Sequence, residues 1–130
     1  MKRVLFVCVH NSGRSQMAEA FLKHFSLGAV ESESAGTVPS EQVNPVVAEA
    51  MREKGIDLYH YAPKLLTQDM VDRADRVITM GCSIEEACPA VFVPAEDWGL
   101  EDPEGKPLEK VRGIRDQIEE RVKGLLAELR

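Results

Sequence analysis

Residues 4–15 read Val-Leu-Phe-Val-Cys-Val-His-Asn-Ser-Gly-Arg-Ser, and this stretch decides the fold of the chain. The continuous apolar run that ends at Cys8 indicates a strand buried on both faces of a parallel sheet. After five intervening residues, Arg14 opens a stretch whose apolar residues recur with helical spacing. The stretch therefore predicts a strand, a short loop and a helix, with a cysteine at one end of the loop and an arginine at the other.

Such a loop is suited to a tetrahedral oxyanion. Backbone N–H groups at a helix N-terminus carry partial positive charge, so a loop wrapped there binds an anion and favours the thiolate form of a cysteine at its base. The planar guanidinium of Arg14 can hold two oxygens at once. We therefore expect the anion to be bound by Val9, His10, Asn11, Ser12, Gly13 and Arg14. The alternative is a buried strand cysteine beside an unrelated surface arginine.

The rest of the chain predicts an α/β domain. Strands are expected at 2–9, 29–35, 76–80 and 90–93. Helices are expected at 13–25, from Asn44-Pro45 to near Gly55, from Thr67 and Asp69 onward, and from Pro107 onward. The apolar residues of the last helix recur with helical spacing, at Val111, Ile114, Ile118, Val122, Leu125 and Leu129. Because strands alternate with helices, we expect one catalytic domain over 1–130, a doubly wound fold with a central four-stranded parallel sheet and helices on both faces. In such sheets ligands bind outside the carboxyl ends of the strands, where Cys8 falls.

Composition excludes several classes of protein. The chain has 130 residues, of which 44% are hydrophobic, so it is long and apolar enough for a core rather than disorder. A formal net charge of -6 without a basic stripe argues against nucleic-acid binding. The apolar run at 4–9 is too short for a signal peptide or a membrane span, so we expect a cytoplasmic protein without membrane contact. We expect a monomer that needs no cofactor.

Two stretches carry a resemblance to a known family. The pattern Val-Leu-Phe-Val-Cys-x-x-Asn-x-x-Arg-Ser-x-Met-Ala-Glu over 4–19, together with Trp-Gly-Leu-Glu-Asp-Pro over 98–103, resembles the low-molecular-weight protein tyrosine phosphatase fold family. The resemblance covers essentially the whole chain and implies a low-molecular-weight phosphatase-like fold. That fold hosts both phosphatases and thioredoxin-coupled arsenate reductases, so the remaining residues must distinguish the two.

Cys82 and Cys88 favour the reductases. They follow the third predicted strand, whose carboxyl end lies at the same edge of the sheet as Cys8, so all three thiols can approach one another. The resemblance implies that Cys8 is the nucleophile and that Cys82 and Cys88 are the second and third thiols of a relay. It also implies that the relay forms first a Cys8–Cys82 and then a Cys82–Cys88 disulfide, and that thioredoxin is the reductant. Two alternatives remain, loop cysteines without a role and a zinc site that includes His10. The zinc site lacks the paired C-x2-C spacing, and we expect no metal.

Two further residues complete the expected catalytic set. The resemblance implies that Asp102 is a general acid for the leaving oxygen, although an aspartate before proline is also a common turn former. Ser15 is suited to hydrogen-bonding the Cys8 thiolate, and its alternative is a first-turn serine with no special partner.

A potassium site of some relatives is altered in this chain. Those relatives bind potassium through an asparagine, a glutamate, a serine and an aspartate, and the first three match Asn11, Glu19 and Ser34. Lys64 stands where the aspartate aligns. Its ammonium can take the cation's place, so we expect little dependence on potassium.

The sequence thus favours an arsenate reductase over its rivals. A low-molecular-weight protein tyrosine phosphatase commonly has a second cysteine where this chain has Gly13, and aromatic residues after Asp-Pro where this chain continues Glu-Gly-Lys-Pro. Weak phosphatase activity is still expected, because the loop and Asp102 remain. A third interpretation, a non-enzymatic anion or redox sensor, would need a DNA-binding element or a second domain, and the sequence indicates neither.

Overall fold

The computed structural model describes residues 2–58, 60–80 and 96–129. The strands are β1 (Lys2–Cys8), β2 (Val30–Gly36), β3 (Arg76–Thr79) and β4 (Glu96–Asp97). The helices are α1 (Arg14–Ser26), α2 (Pro45–Arg52), α3 (Gln68–Arg73) and α4 (Leu108–Leu129). The predicted strand at 90–93 lies outside the described residues, and β4 follows it in the chain.

The four strands form one parallel sheet in the order β2-β1-β3-β4. In its register Cys8 lies opposite Gly36, and Val7 lies opposite Thr79. The last residues of β1, β2 and β3 therefore meet at one edge of the sheet. The predicted α/β architecture is confirmed, and it places Cys8 at the edge where ligands bind in such sheets.

Strand β1 is covered on both faces because successive side chains of a strand point in opposite directions. Val4, Phe6 and Cys8 belong to the larger core, which also contains residues of α1, α2 and α4. Leu5 and Val7 belong to a smaller core with Val71 of α3. This two-sided burial explains why the sequence of β1 is continuously apolar rather than alternating.

Local signals set the starts of the helices as predicted. The side chain of Asn44 accepts a hydrogen bond from the Val46 N–H at 2.9 Å, with Pro45 as the first residue of α2. The hydroxyl of Thr67 accepts from the Met70 N–H at 3.2 Å at the start of α3. Helix α4 buries most of the predicted apolar face. Its residues Val111, Ile114, Ile118, Val122 and Leu125 are buried, and Leu129 is partly buried.

Several boundaries differ from the predicted ones by one to three residues, including those of β1 and α2. Strand β1 ends at Cys8, one residue earlier than expected, because the carbonyl of Val9 turns to bond with the N–H of Val38. Helix α2 ends at Arg52, and Gly55 lies in the following turn with a φ of +77°. Among the helices of the described part of the chain, none has the length and apolarity needed to cross a bilayer.

Candidate active site

Three carbonyl groups of the loop that joins β1 to α1 accept hydrogen bonds from the backbone of residues 38–44. The backbone N–H groups of Val38, Ser40 and Asn44 donate to the carbonyls of Val9, His10 and Ser12, at 2.8, 3.0 and 2.8 Å. All six groups belong to the backbone, so the interaction does not depend on side-chain chemistry. We call residues 38–44 the outer segment.

This outer contact orients the N–H groups of the loop. In a trans peptide unit the C=O and the following N–H point in opposite directions. The N–H groups of His10, Asn11 and Gly13 therefore face away from the outer segment. For Asn11 the direction is directly visible, because its N–H donates to Cys8 Sγ at 3.1 Å. The loop presents a set of N–H donors around the cysteine, as an oxyanion site requires.

The start of α1 adds N–H donors that no capping side chain satisfies. Gly13 is its N-cap and supplies no side-chain hydrogen bond, and the first turn of α1 contains no acidic residue. Most helices satisfy their first N–H groups with a capping side chain. In α1 these groups, and the positive end of the helix dipole, stay available to an anion.

Two glycines allow the loop to pack this closely. A Cβ on Gly36 would lie 2.5 Å from the carbonyl oxygen of Val9, and a Cβ on Gly13 would lie 2.8 Å from Pro103 Cγ. Gly36 ends β2 directly beside Cys8, so it forms the support on which the loop rests. Gly36 was not among the residues predicted from the sequence, although a glycine at the end of a strand often marks such a close approach of another backbone.

The thiol of Cys8 lies at the centre of a hydrogen-bond network. Cys8 is 3% exposed, and its Sγ is 2.8 Å from Ser15 Oγ, as the sequence predicts. Asn11 Nδ2 donates to the same hydroxyl at 2.7 Å. Asn11 has a positive φ of 51°, which an asparagine tolerates better than most residues. The Cys8 sulfur thus has a backbone N–H and a hydroxyl group within hydrogen-bond distance.

Arg14 is fixed by two carbonyls from remote parts of the chain. Its Nη1 donates to the Met80 carbonyl at 2.6 Å and to the Leu100 carbonyl at 2.8 Å. A guanidinium has five N–H donors, so Nη2 and Nε retain donors for an anion. The carbonyls hold the plane of the guanidinium, so Arg14 is oriented by the fold and is not an unrelated surface residue.

Asp102 lies at the rim of the loop. Its Oδ2 is 4.0 Å from Arg14 Nη2, and its Oδ1 accepts from the Glu104 N–H at 3.0 Å. The side chain is 53% exposed, so the carboxyl group can exchange protons with solvent. Both expectations for Asp102, a turn former and an acid near the anion, fit this position. The neighbouring Pro103 is buried against Gly13 and anchors the turn.

Cys82 and Cys88, the predicted second and third thiols, lie outside the described residues. Met80, two residues before Cys82, is buried, and its N–H donates to the Val7 carbonyl at 2.9 Å. His10, the other residue of the alternative zinc site, has its Nδ1 at 3.0 Å from the Val38 carbonyl. Within 2–58, 60–80 and 96–129, no group of three or more His, Cys, Asp or Glu residues is placed to hold a metal.

The residues of the altered potassium site lie together. Glu19 is 3% exposed, and its Oε1 accepts from Ser34 Oγ at 2.5 Å and lies 3.6 Å from Lys64 Nζ. Its Oε2 accepts from Lys23 Nζ at 2.6 Å. Burial by itself lowers the pKa of Lys23, but the hydrogen bond and the charge of Glu19 outweigh it and raise this pKa. Two ammonium groups thus neutralise a buried carboxylate.

The comparisons with known proteins agree with this geometry. The sequence pattern of the family described as low molecular weight phosphotyrosine protein phosphatase matches residues 3–130. A protein of Halobacterium salinarum assigned to the arsenate reductases is 43% identical over 128 residues, 95% of this chain and 89% of its own length. A glutaredoxin arsenate reductase of Synechocystis is 40% identical over 133 residues, 99% of each chain.

Solved structures show the same likeness. An arsenate reductase in a phosphate-binding state superposes with a TM-score of 0.90 at 39% identity, over 100% of both chains. A thioredoxin-dependent arsenate reductase of Corynebacterium glutamicum has a TM-score of 0.82 at 38% identity, over 98% of this chain and 61% of its own. An arginine phosphatase from Geobacillus stearothermophilus has a TM-score of 0.87 at 30% identity, over 99% and 93%.

Three observations agree on the family of this chain. They are the structural match over the whole sheet, the cysteine at the base of a loop lined by N–H groups, and the family pattern over 3–130. The chain belongs to the low-molecular-weight phosphotyrosine protein phosphatase family.

Proposed function

We propose that this protein is a cytoplasmic arsenate reductase that converts arsenate to arsenite. The observation that carries the proposal is the Cys8 sulfur, hydrogen-bonded by Asn11 and Ser15 inside a loop of N–H donors, in a chain that is 35% to 43% identical to arsenate reductases. The arginine phosphatase is less similar, at 30% identity. The sequence also supplies two further cysteines, Cys82 and Cys88, for electron transfer.

The first step forms a bond between sulfur and arsenic. Arsenate binds to the N–H groups of 9–13 and to Arg14, which together balance its negative charge. The Cys8 thiolate attacks arsenic, and one arsenate oxygen leaves as water after Asp102 supplies a proton. The product is a Cys8 thiolate adduct in which arsenic is still in oxidation state V.

The next steps move two electrons from thiols to arsenic. The Cys82 thiolate attacks the Cys8 sulfur, the sulfur–arsenic bond breaks, and its electron pair stays on arsenic, which leaves as arsenite. The Cys8–Cys82 disulfide is then attacked by the Cys88 thiolate, which frees Cys8 and forms Cys82–Cys88. A dithiol reductant closes the cycle by reducing that disulfide.

Thioredoxin is the reductant that we propose, because a structure similar to this chain over 98% of its length is a thioredoxin-dependent arsenate reductase. The Synechocystis relative is a glutaredoxin arsenate reductase, so a glutathione and glutaredoxin system is the competing reductant. The enzyme acts as a monomer in this scheme, since each proposed group comes from one chain.

The test is an arsenate-dependent NADPH oxidation assay with two reducing systems. Thioredoxin with its reductase is compared with glutaredoxin, glutathione and glutathione reductase. We expect turnover with thioredoxin, and faster turnover with glutaredoxin would overturn the choice of reductant. Absence of arsenate-dependent turnover with both systems, together with rapid phosphate-ester hydrolysis, would favour the phosphatase instead.

Cysteine variants separate the two activities. Cys8→Ser is expected to abolish arsenate reduction and phosphate-ester hydrolysis, because both need the nucleophile. Cys82→Ser or Cys88→Ser is expected to abolish multiple-turnover reduction and to leave weak ester hydrolysis intact. Full thioredoxin-coupled turnover of Cys88→Ser would show that the relay assignment is wrong.

A further inference from the structure

Gln16 is a buried polar residue that the proposed mechanism does not use. It follows Ser15 in the first turn of α1 and is fully buried. Its Nε2 has three acceptors within hydrogen-bond distance, which share its two N–H donors: the Asn11 carbonyl at 3.1 Å, Asn11 Oδ1 at 3.2 Å and the Ala62 carbonyl at 3.2 Å. Two of these partners are backbone carbonyls, which only accept, so the NH2 side of the Gln16 amide must face them.

The orientation of Asn11 is fixed in the same way. Its Oδ1 receives Gln16 Nε2 and also the backbone N–H of Lys64, at 2.9 Å. Both groups are donors, so this atom must be the amide oxygen of Asn11 and not its nitrogen. The NH2 group of Asn11 is therefore the one that faces Ser15 Oγ, at 2.7 Å.

When Cys8 is a thiolate, which only accepts, Ser15 is the donor of their hydrogen bond. Because Ser15 Oγ accepts from Asn11, its O–H is free to donate to Cys8 Sγ at 2.8 Å. The bonds from Gln16 through Asn11 and Ser15 to Cys8 all donate toward the sulfur. A chain of hydrogen bonds aligned in this way polarises each member and favours the thiolate at its end.

The side-chain oxygen of Gln16 is energetically unfavourable where it lies, and packing does not explain why an amide stands there. Its Oε1 is buried and accepts no hydrogen bond from any residue that the structure describes. An unpaired buried amide oxygen is unfavourable, and a methionine of similar length would fill the same space without it. The contribution of the amide therefore lies in its NH2 group, which bonds to Asn11 and to the Ala62 carbonyl.

We propose that Gln16 is a positioning residue for the Cys8 thiolate, because it acts together with the Lys64 backbone N–H to set the donor direction of the hydrogen-bond chain through Asn11 and Ser15. The inference rests on the proposed function, in which Cys8 is the nucleophile. It goes beyond that function by assigning influence over the thiolate to a side chain whose hydrogen bonds go to Asn11 and Ala62.

The test measures Cys8 reactivity directly. In a full-length background with Cys82→Ser and Cys88→Ser, Cys8 is the only thiol, and its rate of alkylation by iodoacetamide is followed against pH. Gln16→Met is expected to move the midpoint of this profile to higher pH, with a rate near neutral pH reduced about threefold to tenfold and an unchanged limiting rate at high pH. Gln16→Leu, which also lacks the donor, is measured beside it in case one variant does not fold.

Ser32→Ala is the matched control. Ser32 lies on β2 and is buried. Its hydroxyl donates at 3.1 Å to the backbone carbonyl of Glu19 on α1, the helix that carries Gln16, and takes no part in the hydrogen-bond chain that leads to Cys8. We expect Ser32→Ala to keep the wild-type profile. A Gln16→Met profile that superposes on the wild-type one, or an equal shift in Ser32→Ala, would overturn the positioning role. A wild-type Cys8 no more reactive than free cysteine would instead contradict the proposed nucleophile.

Discussion

Gly36→Ala is expected to damage both the stability and the chemistry of the oxyanion loop. The new Cβ would lie 2.5 Å from the Val9 carbonyl oxygen and 3.0 Å from the Asn11 nitrogen. Neither atom is free to retreat, because Val9 accepts from the Val38 N–H at 2.8 Å and Asn11 donates to Cys8 Sγ at 3.1 Å. The loop must therefore shift and strain or break these bonds.

The size of the effect follows from those contacts. Nonbonded carbon and oxygen atoms rarely come closer than about 3 Å, so Val9 would have to move by about half an ångström. Overpacking together with one weakened hydrogen bond is expected to lower the free energy of unfolding by about 2–4 kcal/mol. Because small misplacements of binding groups slow catalysis strongly, we expect kcat/KM to fall by about tenfold or more.

The assay compares Gly36→Ala with Gly113→Ala. Gly113 lies within α4, where an added Cβ meets nothing within 4 Å. Alanine in a helix interior is more favourable than glycine, so this control is expected to raise the free energy of unfolding by about 0.5–1 kcal/mol. Urea unfolding gives both values, and arsenate turnover gives kcat/KM. Equal stability of the two variants, or wild-type kcat/KM in Gly36→Ala, would refute the reasoning.

The remaining predictions concern charges. Hydrogen bonds from Arg112 and Arg115 lower the pKa of Glu53 from 4.5 to about 2, so the unfolded chain takes up this proton at a higher pH than the folded one. The wild type should be more stable than Glu53→Gln near neutral pH, and urea unfolding should show this advantage shrinking as the pH falls from 4.5 to about 2; a constant difference would contradict it. Because Lys64 Nζ lies 3.6 Å from Glu19 Oε1, potassium should change turnover little compared with sodium at equal ionic strength. Severalfold activation by potassium would show that the ammonium does not replace the cation.

Much of the fold could be predicted because its signals are local. The apolar run of β1, the Asn44-Pro45 start of α2 and the apolar face of α4 each lie within one element, and each predicted its element correctly. The Ser15 contact with Cys8 was also predictable, since the residues are seven apart across a short loop. Boundaries were less certain, as the early end of β1 shows, because a bond to the distant Val38 sets it.

The sequence by itself determined the chemistry that is available to this protein: a cysteine, an arginine six residues later and glycine between them, on a strand, a loop and a helix. Only the tertiary structure decided how the Arg14 side chain and the N–H groups of the loop are oriented. Arg14 is oriented by carbonyls 66 and 86 residues away, and the loop N–H groups are turned by the outer segment and supported by Gly36. The physical reason is that a periodic pattern reports which face of one element is buried. The direction of a hydrogen bond depends on a partner that packing brings from elsewhere in the chain.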